Sequence, residues 1–325
     1  MKLLVIRFSS IGDIILTSPV VRAIKAQVPG AEVHFLTKQE FAPLVAHSPH
    51  ITRVHTITES IREVLPVLQK ERFDLVVDLH HNLRTWRVKR ELGVPSKSFP
   101  KLNVEKWLMV NFKRDRLPRL HIVDRYLGTV AHLGVKADGL GLELHLSPAS
   151  EVDLNGLPES HRSGYIALAI GGAHFTKRLP PHRLVELARL IQGPMVIIGG
   201  PDDRAVAAAI CTAVGGRAYD ATGRYDILGS ASLIRQARSV ITHDSGAMHV
   251  AAAFQKPLVS IWGNTIPEFG MYPYLPQQPD LSHIAQVRGL DCRPCSKIGF
   301  DSCPKGHFHC MEKQDLQAIA AINRL

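Results

Sequence analysis

The chain has 325 residues, 45% of them hydrophobic, with a mean hydropathy of +0.02, enough apolar material for two cores of ordinary size. No apolar run approaches the roughly 18 residues of a membrane-spanning helix, which excludes an integral membrane protein of the helical kind. The formal net charge is +10, and residues 1–150, with 22 basic and 14 acidic side chains, hold +8 of it, an excess that favours polyanionic partners.

In chain order, Lys2–Phe8 (KLLVIRF) reads as a buried parallel strand. Arg7 interrupts its apolar run and no small-residue cleavage site follows, so a secretory leader is not expected and the protein is placed in the cytoplasm. Ser9-Ser10-Ile11-Gly12-Asp13 reads as a tight turn, and Ile14–Val28 as a helix bent near Pro19. The turn lacks G-x-G-x-x-G, which argues against a nicotinamide dinucleotide. Strands at Ala31–Thr37, Arg53–Ile57 and Phe73–Leu79 alternate with helices at Gln39–His47 and Ile61–Arg72, the pattern of a doubly wound parallel sheet. Arg84–Arg119 follows, with 11 basic and 3 acidic residues and with Trp86, Phe99, Trp107 and Phe112 interleaved. A helix at His121–Leu133 closes a first domain, residues 1–150, and Gly139–Gly164 is the linker.

The second domain, residues 151–325, repeats the alternation. Tyr165–Ile170 is a strand, Gly171–Arg178 a glycine-led loop, and Pro180 and Pro181 open a helix to about Ile191. Pro194–Ile198 is a strand ending in Gly199-Gly200-Pro201-Asp202, and helices follow from Asp203 to Val214 and from Ile227 to Ala237. Val240–Thr242 and Pro257–Trp262 are strands flanking the polar knot His243-Asp244-Ser245-Gly246 and a helix at Ala247–Phe254. A strand that ends in Asp-Ser-Gly and turns into a helix offers free backbone N–H groups and a positive dipole end, which suit a diphosphate. His249, on the first turn, shares that position. The alternative is an ordinary helix cap by Asp244 or Ser245.

Asp13 holds the equivalent place after the first strand, where a carboxylate can take a proton from an attacking hydroxyl, or else only cap its helix. Lys177, in the glycine-led loop, is aimed at the same sheet edge as Asp244. Asp202, with Asp203 as its neighbour, is either a ligand or a cap. No two aspartates stand as Asp-x-Asp, the usual pair for a divalent cation on a diphosphate, so neutralisation by Lys177, the helix N-terminus and His249 is expected instead. Cys292-x-x-Cys295 with Cys303 and Cys310 has the spacing of a structural zinc site, with His307 and His309 between; reduced, packed thiols are the other reading.

The run D-S-G-A-M-H-V-A-A-A at 244–253, followed by K-P-L-V-S-I-W-G, resembles the nucleotide-binding signature D-[TS]-G-x-x-H of glycosyltransferase family 9, the ADP-heptose:lipopolysaccharide heptosyltransferases. Residues 9–19, 171–181 and 292–311 resemble the family too. The resemblance implies a GT-B fold, two Rossmann-like domains with parallel sheets facing across a cleft, with an acceptor-binding first domain and a nucleotide-sugar-binding second. It implies an inverting, metal-independent transferase that needs no cofactor and moves a heptose from ADP-heptose to a phosphorylated lipopolysaccharide-core acceptor. In the [ST]-[ST]-x-G-D motif at 9–13, Asp13 is the general base, and Ser10 and Gly12 lie on the acceptor with Arg84, Arg87 and Lys89. Lys177, Asp202, Asp244, Ser245, Gly246 and His249 are the donor-binding set, and Tyr225–Gly229 lies near the base. The chain departs from the family's K-x-W-P in having Leu179, and from its usual loop hydroxyls in having Gly172 and Ala173, so backbone N–H groups are expected to serve there. The expected protein is a monomer, peripheral on the inner face of the inner membrane, with no nucleic-acid partner. The competing readings are a GT-B transferase for another nucleotide sugar, a nucleotide-sugar epimerase, and a non-catalytic polyanion-binding protein.

Overall fold

A computed structural model describes residues 1–322, and these form two compact units. The first comprises Met1–Leu102 and Leu120–Ser147; the second joins Asn103–Arg119 to the chain from Pro148 onward. Half of the basic segment thus belongs with the second unit, whereas the sequence reading keeps all of it in the first.

The first unit runs β1 (Lys2–Ile6), α1 (Ile11–Ile15), α2 (Ser18–Gln27), β2 (Glu32–Lys38), α3 (Pro43–Ala46), β3 (Arg53–Ile57), α4 (Leu65–Glu71), β4 (Leu75–Asp78), α5 (Leu83–Leu92) and β5 (Ser96–Ser98). The chain then makes α6 (Asn103–Phe112) in the second unit and returns for α7 (Ile122–Leu127). The strands are all parallel, in the order β3-β2-β1-β4-β5. Leu4, Ile6, Leu36, Leu68 and Val76 build a core on one face of the sheet. Proline decides where the helices break. The single bent helix expected over 14–28 is two helices, because Pro19 has no N–H to give and a new helix starts with Thr17 at its N-cap position, the Thr17 hydroxyl donating back to Ile14 O at 2.6 Å. Pro43 and Pro66 open α3 and α4 in the same way and shorten the helices read from periodicity.

The second unit continues with α8 (Glu159–Arg162), β6 (Ile166–Ala169), α9 (Pro181–Leu190), β7 (Met195–Ile198), α10 (Arg204–Val214), β8 (Ala218–Asp220), α11 (Ile227–Gln236), β9 (Ser239–His243), α12 (Gly246–Ala253), β10 (Leu258–Trp262), β11 (Ser282–Gln286), α13 (His309–Glu312) and α14 (Leu316–Ile322). Its strands are also parallel, ordered β11-β10-β9-β6-β7-β8. Its core packs Leu168, Leu187, Ile197, Ile241 and Val259 against Cys310, Met311 and Ile319 of the C-terminal segment. Each sheet reverses its winding once, between β1 and β4 in the first unit and between β6 and β9 in the second. Ligands of doubly wound sheets bind outside the carboxyl ends of the strands at such reversals. The two Rossmann-like units make this a GT-B protein in fold class. Among the described residues no helix is long and apolar enough to cross a membrane.

Candidate active site

In the first unit, the reversal places the loop after β1 beside the loop after β4. Asp13 is the third residue of α1, and its Oδ2 accepts from the Ser10 hydroxyl at 2.9 Å and the Ser10 backbone N–H at 3.3 Å. The carboxylate therefore does cap its helix. It is also held from the other side, where Arg7 Nη2 reaches Oδ1 at 2.7 Å. Arg7 is buried, and its remaining donors go to Ser9 O at 2.8 Å, Leu79 O at 2.6 Å and Tyr126 Oη at 3.0 Å. Burial alone would lower the Arg7 pKa; Asp13, with Tyr126 and Asp78, reverses this and leaves it raised. A guanidinium this well anchored fixes the direction in which Asp13 points, and Asp13 keeps about a fifth of its side chain exposed, at 21%. His80, after β4, is held neutral with a pKa pushed down to about 4 by burial and by the nearby Arg7 and Lys101. Arg7, His80 and Tyr126 were missed in the sequence, since a buried Arg and a buried Tyr inside or after apolar runs carry no motif.

The acceptor set separates. Ser10 is exposed beside Asp13, and Gly12 is buried in α1. Arg84 and Arg87 are exposed on α5, beside Leu83 and Trp86. Lys89 turns the other way. Its Nζ lies 2.9 Å from the fully buried Asp78 and 2.8 Å from Ser98 Oγ, so it neutralises an interior carboxylate instead of facing solvent. Burial would raise the Asp78 pKa; Lys89 and the His81 backbone N–H outweigh it and leave the pKa lowered.

In the second unit, the reversal brings the loop after β6 against the loop after β9, as the spacing predicts for Lys177 and Asp244. Lys177 Nζ lies 2.7 Å from Asp244 Oδ2, and the Thr265 hydroxyl donates to the same oxygen at 2.7 Å. Ser245 stands at the N-cap position of α12 with its hydroxyl turned to Thr242, 3.2 Å away, so it does not occupy the helix's own N–H groups. Gly246 begins the helix and His249 is buried on it. His243, fully buried on β9 and held neutral with a pKa of about 4 by burial, accepts the Leu179 N–H at 3.0 Å and so pins the Lys177 loop to the strand.

Asp202 and Asp203 differ in what they touch. Asp202 is exposed. Asp203 is buried, accepts the Gly200 N–H at 2.9 Å and pairs with Arg178 at 3.3 Å. A Cβ on Gly171 or Gly199 would come within 2.9 or 2.8 Å of the Asp203 carboxylate, so the glycines ending β6 and β7 make room for it. Asp226 caps α11 through the Gly229 N–H at 2.7 Å.

The Cys-rich segment buttresses these loops. Phe300 O accepts the Thr176 N–H at 3.1 Å, the Phe300 N–H returns to Thr176 Oγ1 at 2.8 Å, and Phe308 stacks on Phe175 at 5.1 Å. Arg293, half-buried between Cys292 and Pro294, donates to Gly263 O at 2.6 Å and to Thr265 O at 2.7 Å. Lys113 Nζ donates to Pro294 O at 2.6 Å and ties the basic segment to the same place. Cys310 is a core thiol whose pKa burial pushes up to about 12, and burial also raises Cys295. Cys292 Sγ lies 3.9 Å from His307 Nε2. Among the described residues, the triads of metal-ligating type with donor atoms within 4.8 Å of one another are His34/His55/Glu71 and His50/Glu143/His145, and neither includes a cysteine.

Residues 61–297 match the sequence profile of glycosyltransferase family 9 (heptosyltransferase). The chain belongs to this family. This glycosyltransferase is 26% identical over 314 residues to lipopolysaccharide heptosyltransferase 2 of Escherichia coli (strain K12), covering 88% of this chain and 87% of the relative. It superimposes on the E. coli ADP-heptose lps heptosyltransferase II with a TM-score of 0.70 at 20% identity, over 98% of this chain and 99% of that one. The iron-containing dodecameric glycosyltransferase TibC of enterotoxigenic E. coli shares the fold with a TM-score of 0.58 at 16% identity, over 99% of this chain and 77% of that one.

Proposed function

We propose that this family 9 glycosyltransferase moves a heptose from ADP-heptose to a lipopolysaccharide-core acceptor, with inversion and without a catalytic metal. The observation that carries the reading is the Lys177–Asp244 pair at the strand reversal, next to the open N-terminus of α12. An ammonium and a helix dipole at one point suit a diphosphate leaving group. The E. coli relative is a lipopolysaccharide heptosyltransferase, which points to the acceptor class, and the superimposed enzyme is an ADP-heptose heptosyltransferase, which points to the donor.

In this reading Asp13 takes the proton from the acceptor hydroxyl as that oxygen attacks the anomeric carbon and the bond to the diphosphate breaks. Arg7 and Ser10 aim the carboxylate. Lys177, the α12 N–H groups and His249 receive the charge that develops on the diphosphate. Direct displacement inverts the anomeric centre and needs no enzyme nucleophile. Asp202, being exposed, is the candidate for the ribose hydroxyls, since Asp203 is used inside the loop. Arg84 and Arg87 attract acceptor phosphates, while Lys89 acts through Asp78. The first unit is the acceptor domain and the second the donor domain. The enzyme acts as a monomer in the cytoplasm, peripheral on the inner leaflet.

The four cysteines serve as reduced packing. Cys310 packs in the core of the second unit, and burial raises its thiol pKa and that of Cys295, as expected of packed, protonated thiols. Adding Co²⁺ to the reduced protein checks this, since an ion held by these sulfurs would show a thiolate charge-transfer band.

Replacing Asp13 with Asn tests the mechanism. Turnover is expected to fall by about 100-fold to 10,000-fold, with ADP affinity measured by calorimetry unchanged. Full turnover in the variant would remove Asp13 as the base.

A further inference from the structure

Away from Asp13 and Lys177, the first unit gathers His50, from the loop after α3, with Glu143 and His145, from the segment after α7. Glu143 Oε2 lies 3.3 Å from His50 Nε2 and 3.2 Å from His145 Nε2, and the three donor atoms all lie within 4.8 Å of one another. We propose that these three side chains bind one divalent transition-metal ion of the zinc type. This inference does not depend on the identity of the sugar donor or acceptor.

The distances suit an ion: ligands bound about 2.0–2.2 Å from a tetrahedral ion sit roughly 3.3 Å apart, and Glu143 Oε2 lies 3.3 and 3.2 Å from the two ring nitrogens. The carboxylate is also oriented for the task. Its Oε1 is taken by Arg22 Nη1 at 2.8 Å, which leaves Oε2 turned to both rings. Arg22 is itself neutralised by Asp138, at 2.6 and 2.8 Å, and the Glu143 N–H is fixed on Ser18 Oγ at 2.9 Å. Metal-binding carboxylates are held by such outer partners. The rings stand edge to face, 6.1 Å apart, so each can direct its Nε2 at a common point. Side-chain exposures of 24%, 25% and 36% leave a way in for the ion and for a water as fourth ligand.

The other triad shows the contrast. His34 Nδ1 and His55 Nε2 hydrogen-bond each other at 2.9 Å, and Glu71 carries Lys2 and Arg53 at 3.0 and 2.6 Å, so its ligand atoms are used and a cation would meet two positive charges. At the His50 site an ion would clamp two segments far apart in sequence. Glu143 and His145 line a recess with Ile14, Ile15 and Ser18, so the clamp would steady the α1–α2 corner that follows Asp13. Its role is structural.

Titrating EDTA-stripped, full-length protein with Co²⁺ and following the visible spectrum tests this. The expected result is one ion per chain, displaced by Zn²⁺, with d–d bands and no thiolate charge-transfer band. Zn²⁺ alone is expected to raise the melting temperature. His145→Ala, at a part-exposed position, is expected to weaken binding by roughly 100-fold or more and to abolish the Zn²⁺-induced rise, while melting as wild type does in EDTA. Glu143→Gln, which keeps the shape, should weaken binding similarly. A thiolate charge-transfer band would put the ion at the cysteines. That result, unchanged affinity in either variant, or no binding at millimolar ion would overturn the proposal.

Discussion

Asp13 shows how one side chain can be both cap and candidate base. A cap alone needs only Ser10, yet Asp13 is also held by a guanidinium that spends its other donors on Ser9, Leu79 and Tyr126. Arg7→Met would leave Asp13 without its second support and bury no charge, so turnover should drop while ADP affinity holds, which steady-state kinetics with calorimetry can separate. Gly263 makes a different point. A Cβ there would sit 2.6 Å from both Met311 Cε and the Thr176 carbonyl oxygen, and the backbone oxygen cannot move cheaply. Gly263→Ala is expected to destabilise by about 1–3 kcal/mol, read as a lower urea midpoint. The positions of Asp13, Lys177 and Asp244 after β1, β6 and β9 are legible in the sequence because short motifs mark them. The difference in what Asp202 and Asp203 touch is not, since adjacent identical residues differ only in which way the turn points them. Lys89 was misleading for the same reason: its helix presents basic residues all round, and only the fold reveals that Asp78 lies under one of them.

At the scale of elements, the apolar strands β1, β4, β6, β7, β9 and β10 were readable, being buried runs of Val, Ile and Leu. The short strands β5, β8 and β11 were not. Their sequences SKS, AYD and SHIAQ are partly exposed and lie at sheet edges, where pairing with one neighbour suffices and little burial is demanded. The Cys-rich segment was read for its thiols, whereas its structural part is to brace the Lys177 and Gly263–Thr265 loops through Phe300, Phe308 and Arg293. Arg293→Met would strip the Gly263 and Thr265 carbonyls of their donor. At roughly 1–3 kcal/mol for each buried group left unpaired, a loss of several kcal/mol in stability and a weaker ADP affinity are expected. An unchanged ADP affinity in folded Arg293→Met protein would show that the brace does not reach the donor loops.

Over the whole molecule, two buried histidines and a half-buried one set a pH dependence. His55, His80 and His243 are each held neutral, with pKa values of about 4 caused first by burial. An unfolded histidine titrates near 6.5, so between about pH 6.5 and 4 the unfolded chain binds protons that the native chain refuses. Their contribution to stability is therefore complete above 6.5 and is lost as pH falls toward 4. Urea midpoints should decline from pH 7.5 to pH 5, and a flat profile would contradict this. Exposed Trp107 and Phe112 on α6, at 54% and 57%, lead into the basic residues that follow, a combination suited to an anionic leaflet. Binding to phosphatidylglycerol vesicles should weaken with salt and with Trp107→Ser. The central claim is heptosyl transfer itself. Purified protein with ADP-heptose and a heptose-deficient lipopolysaccharide core, in EDTA, should add one heptose by mass and release one ADP for each. Transfer only from a uridine or guanosine diphosphate sugar, or no transfer until a divalent cation is restored, would contradict the account.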